Sequence, residues 1–124
     1  MTVVLIVEDN EKNMKLARDV LQARGYQTLE AITGEEGVRL ALEHKPDLVL
    51  MDIQLPGING VEAFRRIRAD PATAHIPISA LTASVTPTDR GEITAAGFDA
   101  FLSKPINLKE FLETVRRLTG GGSK

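Results

Sequence analysis

Cysteine and tryptophan are both absent from these 124 residues, and aromatic residues make up only 4%. Without a thiol there is no disulfide scaffold, no Cys-ligated zinc, no iron–sulfur cluster and no thiol catalysis. So few rings leave little material for stacking bases, flavins or sugars. Long apolar runs are lacking as well. The longest, Val3 to Val7, is far short of a bilayer span or a signal-peptide core, and no basic segment precedes it. These absences predict a cytoplasmic protein with no membrane partner, and a net charge of −2 argues against direct nucleic-acid binding.

What is present suits one globular domain: 43% hydrophobic against 26% charged residues, enough for a single core and too short a chain for two. Residues 1–119 form that domain, and Gly120-Gly121-Gly122-Ser123-Lys124 reads as a flexible tail. Charge is unevenly spread. Residues 1–62 hold 6 Lys+Arg against 11 Asp+Glu, net −5, while 63–124 hold 9 against 6, net +3. Acidic chemistry therefore belongs to the first half.

Runs of Val, Ile and Leu alternate with segments of helical period, the βα pattern of a parallel sheet covered on both faces. Strands are placed at Val3–Val7, Thr28–Ala31, Leu48–Met51, Ile78–Leu81 and Ala100–Leu102. Leu16, Ala17, Val20 and Leu21 stripe the first helix, with Gly25 as its C-cap. The second runs from Gly34 to Glu43 and the third from Gly60 to Ala69. The fourth begins at Pro87 and is weakened by Gly91 and Thr94. Asn107 caps the fifth, striped by Leu108, Phe111, Leu112, Val115 and Leu118.

Right-handed crossovers bring every strand's carboxyl end to one edge of such a sheet. Past the first strand come Glu8 and Asp9; past the third, Asp52; past the fourth, Thr82; past the fifth, Ser103 and Lys104. Carboxylates about 4 Å apart repel by about 4 kcal/mol per pair at an effective dielectric near 20, so the cluster calls for a counter-charge. Oxygen ligands without His or Cys select a hard cation, and partly hydrated Mg²⁺ fits better than zinc. Beside it, Asp52 could attack a phosphoryl group, Lys104 could neutralise its charge and Thr82 could hydrogen-bond one of its oxygens. In isolation Glu8-Asp9 is more simply a solvated strand end and Asp52 a turn residue before Pro56-Gly57; their convergence reverses that weighing. His44 and His75 lack ligand spacing and read as surface residues, Arg65-Arg66-Arg68 as a solvated helix face, and Met14 equally as core edge or exposed anchor.

Four segments in order resemble the receiver domain of two-component response regulators, the CheY-like superfamily: Leu5-Ile6-Val7-Glu8-Asp9-Asn10, Asp47-Leu48-Val49-Leu50-Met51-Asp52-Ile53-Gln54-Leu55-Pro56, Leu81-Thr82-Ala83, and Phe101-Leu102-Ser103-Lys104-Pro105. The likeness spans residues 2–118. It implies a flavodoxin-like (βα)5 fold with strand order 2-1-3-4-5. It also implies a phospho-switch that takes a phosphoryl group onto Asp52 from a sensor histidine kinase or histidine phosphotransferase. Glu8, Asp9, Asp52 and the Gln54 carbonyl would hold Mg²⁺, or Mn²⁺ in its place, with Glu8 acting partly through water. Thr82, Ala83 and Lys104 would contact the phosphoryl group, and the Lys104-Pro105 bond would be cis. Thr82 and Phe101 would form the switch pair, Phe101 lacking the hydroxyl that many relatives carry. A downstream protein would read the face of helix four, strand five and helix five, with the chain a monomer or weak homodimer.

The chain's end just past the fifth helix suggests a stand-alone receiver; a receiver excised from a hybrid kinase and a phosphorylation-independent adaptor are the alternatives. A Mg²⁺-dependent phosphatase ranks lowest, because Gln54 stands where such enzymes of the haloacid-dehalogenase type place a second carboxylate.

Overall fold

A strand whose side chains are apolar on both faces needs cover on both, and helices supply it. The computed structural model describes residues 2–82, 87–104 and 106–120, with the backbone alone for 87–90 and 92. Along it run β1 (Val3–Val7), α1 (Glu11–Ala23), β2 (Gln27–Ala31), α2 (Gly34–His44), β3 (Leu48–Asp52), α3 (Gly60–Ala69), β4 (Ile78–Thr82), α4 (Pro87–Ala96), β5 (Ala100–Ser103) and α5 (Leu108–Leu118). All pairings are parallel, in the order β2-β1-β3-β4-β5 expected of the doubly wound (βα)5 fold.

Strand periodicity divides the core in two. Val4 and Ile6 of β1 with Leu48 and Leu50 of β3 face one layer, closed by Met14, Ala17 and Leu21 of α1 and Phe111 and Val115 of α5. Leu5, Val7, Val49 and Met51 face the other, under Ala41 of α2 and Ala63, Phe64 and Ile67 of α3. Four helices start on a side-chain cap: the side chains of Asn10, Thr33, Asn59 and Asn107 accept the backbone N–H groups of Asn13, Glu36, Glu62 and Glu110. Among the described residues no helix is long and apolar enough to cross a membrane.

Several boundaries differ from the sequence-based expectation. Gln27, Asp52, Thr82 and Ser103 belong to their strands, because backbone pairing continues past the apolar run: Ile53 N–H donates to the Leu81 carbonyl and Lys104 N–H to that of Thr82. Helix α2 extends to His44, and the C-cap of α1 is Arg24, with Gly25 following at φ +88°. Leu16 and Leu108 are exposed rather than part of their helix stripes, Leu16 by its angle on the helix and Leu108 as the first residue of α5. Arg68 is not solvated with Arg65 and Arg66. It lies over the Phe64 ring, donates to the carbonyls of Ala74 and Ile76, and pairs with Asp99, which also accepts the Ile78 N–H. That clasp ties α3 to the start of β4 and β5 at the edge opposite the carboxyl ends. Met14 is buried, the core reading of the two offered.

Phe111 is fully buried, so Phe111→Ala is expected to lower the unfolding free energy in urea by about 3–5 kcal/mol. Leu108→Ala on the same helix is expected to lower it by less than about 1 kcal/mol.

Candidate functional site

The carboxyl edge gathers side chains from three strand ends. Glu8 is still held by the sheet, its N–H donating to the Ala31 carbonyl at 2.9 Å, and its side chain is buried at 1% exposure. Asp9, one residue on, is exposed. Asp52 ends β3 and is buried. By alternation along their strands, Glu8, Asp52 and Lys104 leave the sheet on the side covered by α1 and α5. Thr82 and Phe101 lie on the other side.

Lys104 Nζ sits 2.6 Å from Glu8 Oε1 and 2.8 Å from Asp52 Oδ2. The second oxygen of each carboxylate accepts a backbone N–H two residues on: Glu8 Oε2 from Asn10 at 3.1 Å, Asp52 Oδ1 from Gln54 at 3.0 Å. Each acid is thus fixed from two directions, by its own loop and by one shared ammonium. The balance is incomplete. Two buried carboxylates face one cation, and Glu8 Oε1 lies against Lys104 without an aligned hydrogen-bond donor.

Burial is the main force raising the Glu8 carboxyl from 4.5 to about 7, followed by the neighbouring Asp52 carboxyl; Lys104 and the Asn10 amide pull the other way. Burial alone would lower the Lys104 ammonium, but its bonds to Asp52 and Glu8 outweigh this and raise it. Lys104 therefore stays charged at neutral pH.

Glu8, Asp9 and Asp52 each present an oxygen within 4.8 Å of the others. An all-oxygen donor set, surplus negative charge and a buried oxygen lacking an aligned donor together fit a hard divalent cation such as Mg²⁺. Thr82 is buried at the end of β4 and paired with Ser103; Phe101 is half-buried on the same sheet face, paired with Ala80. The structure thus brings together Glu8, Asp9, Asp52 and Lys104, with Thr82 on the adjoining strand. Gln54 joins them through its backbone N–H, its side chain being exposed. Ala83 and Pro105 lie outside the described residues. His44 and His75 are exposed and take no part in the cluster.

Two contributors escaped the sequence reading. One is the Asn10 amide on Glu8. The other is Gly60, where a Cβ would collide with the Asp52 carbonyl oxygen and lie 2.8 Å from Ile53 Cα. A glycine heading a helix just after a Pro-Gly turn is the signal that could have marked this close approach.

The response regulator receiver domain family matches residues 4–116 of the chain. The polar-differentiation response regulator DivK of Brucella anthropi is 46% identical over 117 residues, 94% of this chain and 95% of that protein. Among solved structures, the receiver domain of a sensor histidine kinase from Pseudomonas aeruginosa has a TM-score of 0.90 at 34% identity, covering 96% of this chain and 98% of that one. It holds a magnesium ion coordinated in its active-site cleft. Chemotaxis response regulator CheY4 of Vibrio cholerae has a TM-score of 0.89 at 29% identity, over 95% and 98% of the two chains.

The folded protein holds the Glu8 proton to higher pH than the unfolded chain does. The stability this adds is complete below about 4.5 and lost as pH rises through about 7. In chelator, the unfolding free energy is expected to fall more steeply between about pH 5 and pH 8 for the native protein than for Glu8→Gln. Equal slopes for the two proteins would contradict the assignment.

Proposed function

The chain belongs to the response regulator receiver domain family, and from that premise we propose that Asp52 is the phosphoryl acceptor of a Mg²⁺-dependent signalling switch. The supporting observation is the Lys104 ammonium 2.8 Å from Asp52 Oδ2, inside a group of carboxylates too negative to receive an anion unaided. An Asp52 oxygen attacks phosphorus of a partner's phosphohistidine; the P–N bond breaks, its electron pair returns to the imidazole, and an acyl phosphate forms. Glu8, Asp9, Asp52 and the Gln54 carbonyl would hold Mg²⁺, Glu8 partly through water, and the bound ion supplies neutralisation of phosphoryl oxygens. The magnesium in the P. aeruginosa receiver supports this choice, with Mn²⁺ as the alternative ion.

Lys104 exchanges its partners from Glu8 and Asp52 to the phosphoryl oxygens. Thr82 and the Ala83 amide bind the same group, and movement of Thr82 lets Phe101 repack, altering the face of α4, β5 and α5. Phosphorylation thereby biases a two-state equilibrium that a protein target reads by contact. The donor is a sensor histidine kinase or histidine phosphotransferase. The chain acts in the cytoplasm through residues 1–119, as a monomer or weak homodimer. It transfers phosphoryl groups only onto itself, from small acyl-phosphate donors as well, and loses them slowly, since Gln54 and not a carboxylic acid stands two residues beyond Asp52. The likeness to a kinase-attached receiver supports a second reading, in which the same switch works within a hybrid histidine kinase.

With Mg²⁺ and a small acyl-phosphate donor, intact mass should rise by one phosphoryl group that hydroxylamine removes, and Asp52→Asn should gain none. An equal gain in the variant would remove Asp52 from its role. Thr82→Ala should be phosphorylated yet leave the α4 amide resonances at their unphosphorylated positions; native-like shifts would count against the switch pair.

A further inference from the structure

The segment between β3 and α3, residues 53–59, carries the Gln54 backbone that meets Asp52, and its base is closed by the Gly60 N–H on the Ile53 carbonyl at 2.9 Å. Its tip is held by a different element. Glu35, in the first turn of α2, accepts the Ile58 N–H on Oε2 at 3.3 Å. Both sides of that contact lack a Cβ. At Gly57, whose φ is +76°, a Cβ would lie 2.8 Å from Glu35 Oε2; at Gly34 it would lie 2.6 Å from the Ile58 carbonyl oxygen. Glycine at these two positions lets the start of α2 lie directly on the segment, with Leu55 and Ile58 packed against the core below. Among the described residues, and apart from the segment's own two ends, the 53–59 backbone is held by the bond to Glu35.

We infer that Glu35 is a positioning residue for the metal and phosphoryl site: it fixes the tip of this segment, and through it the placement of the Gln54 backbone against Asp52. The inference rests on the reading of the site given under Proposed function. Glu35 is itself exposed and outside the carboxylate cluster, so its effect runs through the loop and not through ligation. A hydrogen-bond acceptor is what this role requires, and a negative charge is not. Gln at this position preserves the acceptor and Ala removes it.

Because no tryptophan can report the site, Mg²⁺ is titrated into the full chain by the amide shifts of Asn10 and Gln54, with Ile58 amide exchange followed in chelator. Glu35→Ala should weaken Mg²⁺ affinity about threefold and speed Ile58 exchange by a similar factor, while Glu35→Gln keeps both near native values. Phosphorylation of Glu35→Ala at saturating Mg²⁺ should reach the native extent. Native Mg²⁺ affinity in Glu35→Ala would overturn the inference. So would an equal loss in Glu35→Gln, which would make Glu35 a remote charge and not an anchor. If the native protein binds no Mg²⁺ while Ile58 exchange still responds to Glu35→Ala, the metal reading fails and Glu35 is a loop anchor alone.

Discussion

Two carboxylates buried side by side at the end of a parallel sheet depend on the one ammonium placed 2.6 Å from Glu8 and 2.8 Å from Asp52. The strand order decides which residue can supply it. β5 is not a neighbour of β3, for β4 lies between them. Two strand spacings amount to about 9.6 Å, a span that needs a long, unbranched side chain as well as an aspartate reaching inward. Lysine provides that reach and a compact charge at its tip. The edge residues must also be in line. The pairings Val7 with Met51, Asp52 with Leu81 and Thr82 with Ser103 achieve this, and every apolar strand residue that fixes the register helps to place the charges.

Such a cluster is a poor stabilising device. A buried ion pair roughly breaks even against apolar packing, and here two acids share one base. Burial has already pushed Glu8 up to about 7, a sign that the protein resists carrying the full charge. The same deficit makes the edge receptive. On the proposed function, a divalent cation would relieve the carboxylates, and a phosphoryl group would then give Lys104 a better partner than either acid. The amide two residues on grips each carboxylate, and this would keep both acids oriented while the ammonium changed partners. On the opposite sheet face, Thr82 and Phe101 lie two pairings apart, so an event at the edge would have a short route to β5.

Much of this was legible in the chain. Apolar runs separated by helical stripes specified the sheet, and the rule that strand ends meet at one edge brought Glu8, Asp9, Asp52 and Lys104 together. What escaped was local geometry. Nothing in the dipeptide Glu8-Asp9 says that one acid is buried and the other exposed; that follows from the β1–β2 ladder running one residue past the apolar run. Leu16 and Leu108 count as apolar in a stripe, yet a residue's angle or end position on the helix decides its exposure. Arg68 reads like its neighbours until Phe64 and Asp99, 31 residues from it, supply partners. The bond from Glu35 to Ile58 joins positions 23 apart with no periodic signal to link them. Side-chain pattern reaches layers and edges, whereas backbone pairing and long-range contacts settle the last residue of each.

The claim that Lys104 is a counter-charge awaiting a better partner is open to direct view. A crystal structure with Mg²⁺ and beryllofluoride, a mimic of the acyl phosphate, would show it. The account predicts beryllium on an Asp52 oxygen, Lys104 Nζ withdrawn from Glu8 and bonded to fluoride, and the metal among Glu8, Asp9 and Asp52. Beryllofluoride on another carboxylate, or Lys104 still seated between Glu8 and Asp52 beside an occupied acceptor, would contradict it.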